Sequence, residues 1–243
     1  STWPRTRPTI SSAGNRDGTL ARRSREPWLG IRVPHKQTRT VLGSHNQISE
    51  PMKLDVIETA IPGCYELQPS VLRDSRGAFV KTYHADAFRE VGLCTAWAEQ
   101  YHTTSAPGVL RGLHFQLPPH DHAKLVYCIS GRVLDVAVDL RVGSPSYGQC
   151  VTLELSAERG NMIYLPTGLA HGFCTHEEPA TLVYNVTSVY QPDSDAGIRW
   201  DSANIPWPLT NPLLSERDQS FSTLAGFDSP FVFETARRAG NTE

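Results

Sequence analysis

No stretch of the sequence approaches the roughly 18 consecutive apolar residues of a membrane-spanning helix, and no charged start followed by an apolar run marks a secretory signal. The expectation is a chain with no membrane partner. The five cysteines, Cys64, Cys94, Cys128, Cys150 and Cys174, are odd in number and form no CxxC pair, which argues against a zinc knuckle and against a disulfide framework. A reducing, cytoplasmic setting fits that usage. Methionine is scarce, with only Met52 and Met162.

What is present divides unevenly. Residues 1–51 carry nine Lys or Arg against Asp17, Glu26 and Glu50, a balance of +6 that leaves −8 for the remainder. They show neither period 2 nor period 3.6 and hold few aliphatics, too little apolar surface to offset the entropy of ordering the backbone. Disorder is expected there. The segment has neither the aromatic interleaving nor the helical Arg face that a nucleic-acid or transit role asks for, so no nucleic-acid partner is expected. Met52 is followed at once by Lys-Leu-Asp-Val-Ile-Glu, an orderly strand start, and a single domain is expected over 52–243.

From Met52 the chain reads as β. Short runs of Val, Ile, Leu and Tyr recur at 56–57, 64–67, 78–83, 125–129, 133–140, 150–155, 162–165 and 181–189, with turns at Pro62-Gly63, Ser130-Gly131, Gly143-Ser144-Pro145 and Arg159-Gly160. Many short strands between glycine turns predict an all-β sandwich or barrel. One helix is expected over His84–Val91, where Ala85, Phe88 and Val91 share a face. Along 133–140, Leu134, Val136, Val138 and Leu140 share the apolar face. Asp135, Ala137 and Asp139 share the other, which is ordinarily solvent-facing but in a barrel lines a polar interior.

Two runs place a histidine beside glycine inside apolar, strand-like sequence: Leu110-Arg111-Gly112-Leu113-His114-Phe115-Gln116 and Pro166-Thr167-Gly168-Leu169-Ala170-His171-Gly172-Phe173. A histidine in a buried strand must have its polar atoms bonded, so the pair points to a lined cavity. The spacing from Gly160 through Pro166 and Gly168 to His171 resembles the second motif of the cupin double-stranded β-helix. The first cupin motif, His-x-His followed by glutamate, is imitated by His120-Asp121-His122, but Val126 and Tyr127 stand where the glutamate belongs, and Thr175 replaces an asparagine. Pro118 and Pro119 place His120 and His122 in a surface loop, and Lys124 is a poor neighbour for a dication. A metal-dependent cupin using His114, His120, His122 and His171 is thus the second reading, and a sugar-nucleotide-binding cupin without turnover the third.

The fuller resemblance is to the dTDP-4-dehydrorhamnose 3,5-epimerases, a metal-independent cupin family. It is carried by Asp74-Ser75-Arg76-Gly77, the Leu110–Gln116 run, Ala123-Lys124-Leu125-Val126, Asp135 through Arg141, Ala170-His171-Gly172-Phe173, Gly197-Ile198-Arg199-Trp200-Asp201 and Leu214-Ser215-Glu216-Arg217-Asp218, in that order. The resemblance implies a cupin-type jelly roll, no cofactor, a homodimer and a nucleotide-diphosphate keto sugar as substrate. It assigns His114 as base, Asp218 as its carboxylate partner, Tyr184 as proton donor and Lys124 as the cation near the enolate oxygen. Arg76, Arg111 and His171 match substrate-binding positions. Departures cluster among the outer contacts: Glu99-Gln100-Tyr101-His102 stands where the family often has Gln-Asp-Asn-His, Lys81 and Asp195 each stand for a glutamate, and Arg217 for a lysine. The catalytic set is intact and the recognition set altered.

Overall fold

The structure, a computed structural model, describes residues 52–234, so the expectation for residues 1–51 lies outside the described residues. The strand runs pair into two antiparallel sheets. The first holds β1 (Leu54–Glu58), β2 (Tyr65–Pro69), β10 (Met162–Leu165), β7 (Lys124–Ser130), β12 (Ala180–Val186) and β5 (Glu99–Ser105) in that spatial order. The second runs β13 (Asp195–Gly197), β6 (Leu110–Gln116), β11 (Leu169–Cys174), β8 (Arg132–Asp139) and β9 (Cys150–Ser156), and a separate hairpin joins β3 (Val71–Asp74) to β4 (Gly77–Val80). This is the all-β, cupin-type jelly roll that the turn spacing and the resemblance imply. The predicted helix is α1 (Ala85–Glu90), capped by the His84 side chain, with Phe88 as its buried anchor. A second short helix, α2 (Glu216–Ser220), was not foreseen.

The core between the sheets is filled from both sides, by Val126, Ile163 and Leu182 of the first and Val133, Leu169 and Phe173 of the second. The outer face of the second sheet is covered in turn: Val136, Val138 and Leu140 pack beneath Ile198, Ala203 and Phe231. Proline-spaced Trp207 joins that cover, with its Nε1 donating to Trp200 O at 2.9 Å. Burying this face gives the C-terminal segment a hydrophobic reason to wrap the sheet.

Both faces of β8 are therefore inside, and the ordinary expectation of a solvent-facing Asp135 and Asp139 gives way to the barrel alternative. Each carboxylate is fully buried and fully partnered. Asp139 accepts from Arg141 Nε at 2.8 Å, Ser144 Oγ at 2.6 Å and Ser146 Oγ at 2.7 Å, while Asp135 accepts from His171. Such hydrogen bonding is what permits a carboxylate at zero exposure.

Candidate active site

β6 and β11 lie side by side because their glycines let them. A Cβ built on Gly112, whose φ is +132°, would stand 2.6 Å from Gly172 Cα, so only glycine allows the backbones this close. That approach sets His114 opposite His171 across the pair. The two histidines then meet different fates.

His114 is held by α2. Its Nε2 lies 2.9 Å from Asp218 Oδ1, while Asp218 Oδ2 accepts from Gly112 N at 3.1 Å. The N-cap Ser215 Oγ accepts from Asp218 N at 3.1 Å and fixes the turn that presents the carboxylate. Burial pushes the Asp218 carboxyl up, but the His114 hydrogen bond and charge, with Gly112 and Ser215, outweigh it and bring it down to about 2. Asp218 is thus an ionised acceptor, and it holds the proton of neutral His114 on Nε2. Nδ1 is left as the basic nitrogen. Burial lowers the His114 imidazole below its ordinary value against the opposing pull of Asp218, with Arg217 and Lys124 lowering it further. Phe221 supports the ring from the side, edge-on at 5.8 Å between centroids and 73°. Phe221 has room because residue 197 is glycine: a Cβ there would come within 2.4 Å of the Phe221 ring and 2.5 Å of Leu113 O.

Lys124 opens β7 with its side chain almost wholly buried, and its Nζ donates to His114 O at 3.0 Å. Burial brings its ammonium down to about 8, against the raising influence of Asp135 and Asp195. Tyr184, on β12, is buried beneath Tyr101, ring on ring at 4.8 Å and 11°, and burial raises its phenol far above the ordinary value. Its other neighbour is His171, edge-on at 5.9 Å.

A cavity of about 350 Å³ gathers His114, Lys124, Tyr101 and Arg217, with Glu99 and Asp195 at its acidic side. A second, of about 450 Å³, shares His114 and Arg217 with it and adds Arg111, Ser215 and Asp218. Arg217 pairs with Asp195 and lies over the Phe221 ring, and Arg111 donates to Ser105 Oγ at 3.0 Å. The remaining expected residues stand elsewhere, and Tyr184, covered by Tyr101, lines neither cavity. His171 is only 3 % exposed, bonded to Asp135, and lines neither cavity. Gln100 is bonded to Asn185 at 2.6 Å. Arg76 projects from the β3–β4 hairpin, paired with Asp74 and 87 % exposed, and neither it nor Lys81 lines the cavities.

Sequence reasoning missed several residues. Phe115, Gln116, Val186 and Tyr190 also line the first cavity, and so does His122, which is a correction to its expected place on a surface loop. Period 2 along β6 offered Gln116 beside His114 as a same-face neighbour. Phe221 carried no local signal, because its place depends on how α2 folds back. The four histidines of the metal reading do not converge: among the described residues no three His, Cys, Asp or Glu side chains are grouped to hold an ion.

The model of a known family, dTDP-4-dehydrorhamnose 3,5-epimerase, matches residues 58–226. The chain belongs to that family. Epimerases of this family are isomerases of carbohydrates, and the chain is one of them. The enzyme of that name from Shigella flexneri is 43 % identical over 168 residues, covering 68 % of this chain and 93 % of its own. Among solved structures, dTDP-6-deoxy-D-glucose-3,5-epimerase from Legionella pneumophila, in complex with dTDP-4-keto-L-rhamnose, is 33 % identical with a TM-score of 0.72, over 75 % of this chain and 100 % of that one. A 3'-monoepimerase from Streptomyces bikiniensis in complex with dTDP-quinovose is 34 % identical with a TM-score of 0.66, over 70 % and 87 %.

Proposed function

We propose that this epimerase inverts C3, C5 or both of a nucleotide-activated 4-keto-6-deoxy sugar. One observation carries the reading: His114, its Nε2 engaged by ionised Asp218, lines a cavity that Lys124 also lines. The C4 carbonyl acidifies the hydrogens on C3 and C5. His114 Nδ1 takes one such proton, the C–H electron pair moves into an enolate, and the ammonium of Lys124 stabilises the charge gathering on O4. Tyr184, the proton donor by resemblance to the family, then returns a proton to the opposite face; the phenolate is reprotonated and His114 releases its proton to solvent, which restores the starting state. Base and phenol belong to different sheets, β6 in one and β12 in the other. Arg111 and Arg217 supply the forked donors that suit a diphosphate.

The relatives include both double and single epimerases, so either number of centres is compatible with the fold. Incubating the protein with dTDP-4-keto-6-deoxyglucose in deuterated water is the direct test. Label should enter C3, C5 or both, and no wash-in by the wild type would end the proposal.

We further propose a homodimer, in which the exposed hairpin carrying Arg76 reaches the cavity of a second copy. Light scattering during size exclusion should give twice the chain mass; a monomer overturns it. Residues 52–234 would form the single catalytic unit of each copy, and the five unpaired cysteines suit the reducing cytoplasm. Among the described residues no helix is long and apolar enough to cross a membrane.

A further inference from the structure

His122 enters none of the steps above, yet it lines the first cavity beside Lys124 and His114. What fixes it is the buried carboxamide of Gln116. Backbone groups of known polarity set that amide's orientation: Oε1 accepts from Gln191 N at 2.7 Å, and Nε2 donates to His120 O at 2.7 Å and Val189 O at 3.3 Å. The same Nε2 lies 3.2 Å from His122 Nδ1. An amide nitrogen only donates, so a proton on Nδ1 would set two donors against each other. Ser188 Oγ, 3.1 Å from Nδ1 and 2.7 Å from His120 O, can turn its hydroxyl to either and adapts to the arrangement. With Nδ1 as the acceptor in this cluster, the proton of the neutral ring stands on Nε2.

Burial, followed by the charges of Lys124 and His171, pushes the His122 imidazole down to about 3, so the ring is uncharged at any working pH. No hydrogen bond joins its Nε2 to any described residue. A residue that merely tied the loop to Gln116 and Ser188 would need only Nδ1. We propose that His122 is a further substrate-contacting residue: an uncharged Nε2–H donor, oriented by Gln116, that binds an oxygen of the keto sugar on the Lys124 side of the cavity. The inference rests on the epimerase reading. An uncharged donor suits this place because Arg217 and Lys124 already depress the basicity of His114, and another cation would depress it further. A preset neutral dipole stabilises developing negative charge without that penalty.

Three measurements test it. Nitrogen NMR of the full chain with labelled histidine should show His122 as the neutral Nε2–H tautomer between about pH 5 and 8. Its Nε2 signal should move on adding dTDP-4-keto-6-deoxyglucose and stay still with dTDP alone. His122→Phe should lower kcat/KM by roughly tenfold to a hundredfold, the usual loss for a hydrogen bond to a charged group. His122→Gln can accept from Gln116 and still donate to the cavity, so it should recover to within about fivefold of the wild type. An Nδ1–H tautomer, an Nε2 signal indifferent to the keto sugar, or a His122→Phe enzyme within twofold of wild type overturns the proposal. If the wild type shows no exchange at all, the epimerase reading fails. A keto-sugar-dependent shift of Nε2 would even then support the contact.

Discussion

Replacing Asp218 by asparagine should be worse for catalysis than replacing it by alanine, and the reason lies in how its two oxygens are engaged. Oδ2 accepts from Gly112 N at 3.1 Å, and Oδ1 faces His114 Nε2 at 2.9 Å. In Asp218→Asn the Gly112 N–H claims the one remaining oxygen, so the new NH2 group is turned toward the imidazole. Nε2 must then become the acceptor and the ring proton moves to Nδ1, the nitrogen that has to receive the substrate's proton. The wrong tautomer in a comparable base–carboxylate pair lowers kcat on the order of 10⁴-fold, about 5 kcal/mol at 1.36 kcal/mol per decade. Asp218→Ala removes the orienting acceptor but imposes no tautomer, so its loss should be nearer the roughly 10²–10⁴-fold range of general base catalysis. Single-turnover deuterium wash-in at C3 and C5 measures both variants on one scale. An asparagine enzyme equal to or better than the alanine enzyme would refute the tautomer argument.

Lys124→Met should lower kcat/KM about 10²–10³-fold by removing the cation near O4, without lowering stability at neutral pH. The wild-type ammonium titrates near 8 rather than 10.5, so the folded state disfavours its charge. By linkage that disfavour costs about 3 kcal/mol at pH 7 and fades as pH rises from about 8 toward 10.5. Wild-type activity should correspondingly fall as pH rises through about 8, and a pH profile with no alkaline limb there would count against Lys124 as the required cation. Tyr184→Phe should keep proton abstraction while losing inversion: label still washes into the substrate, whereas product formation drops roughly 10²–10³-fold. Equal losses of exchange and inversion would assign Tyr184 another role. Gly197→Ala forces a Cβ to within 2.4 Å of Phe221, an overpacking expected to cost about 1–3 kcal/mol in urea unfolding and to unseat the ring beside His114; unchanged stability and rate would dismiss Phe221 as its support.

The β architecture was legible because strand runs and glycine turns are local signals, and β10 falls on the predicted residues 162–165. The edges were less so. The run predicted to reach Val189 stops pairing at Val186, where the chain turns to bring Tyr190 to the cavity. Strand β5 escaped notice because Glu99-Gln100-Tyr101-His102 is polar, and it becomes a strand through its pairing with β12. The motif residues His114, Lys124 and Asp218 do line the two cavities, whereas Tyr184 lies beneath Tyr101 and lines neither. Gln116 and His122 were not readable as a unit. Their meaning comes from a loop that returns the chain beside Ser188, a contact between residues more than sixty positions apart.

Two histidine–carboxylate pairs of equal length, both at 2.9 Å, spring from the adjacent strands β6 and β11, and exposure separates them. His171 and Asp135 have side chains 4 % and 0 % exposed, and His171 lines neither cavity. Their pairing satisfies two polar groups in the core and gives Tyr184 a fixed wall to pack on. The His114 side chain is 28 % exposed over an Asp218 that is 4 % exposed. There the carboxylate is sealed and the imidazole half-open, so the pair orients one nitrogen from behind and leaves the other for chemistry. The sheet needs the first pair to hold its shape, and the second works because that shape holds: the close passage of Gly112 against Gly172 aligns both histidines. Substituting Gly172 should therefore disturb the base through the backbone, although residue 172 touches no cavity itself.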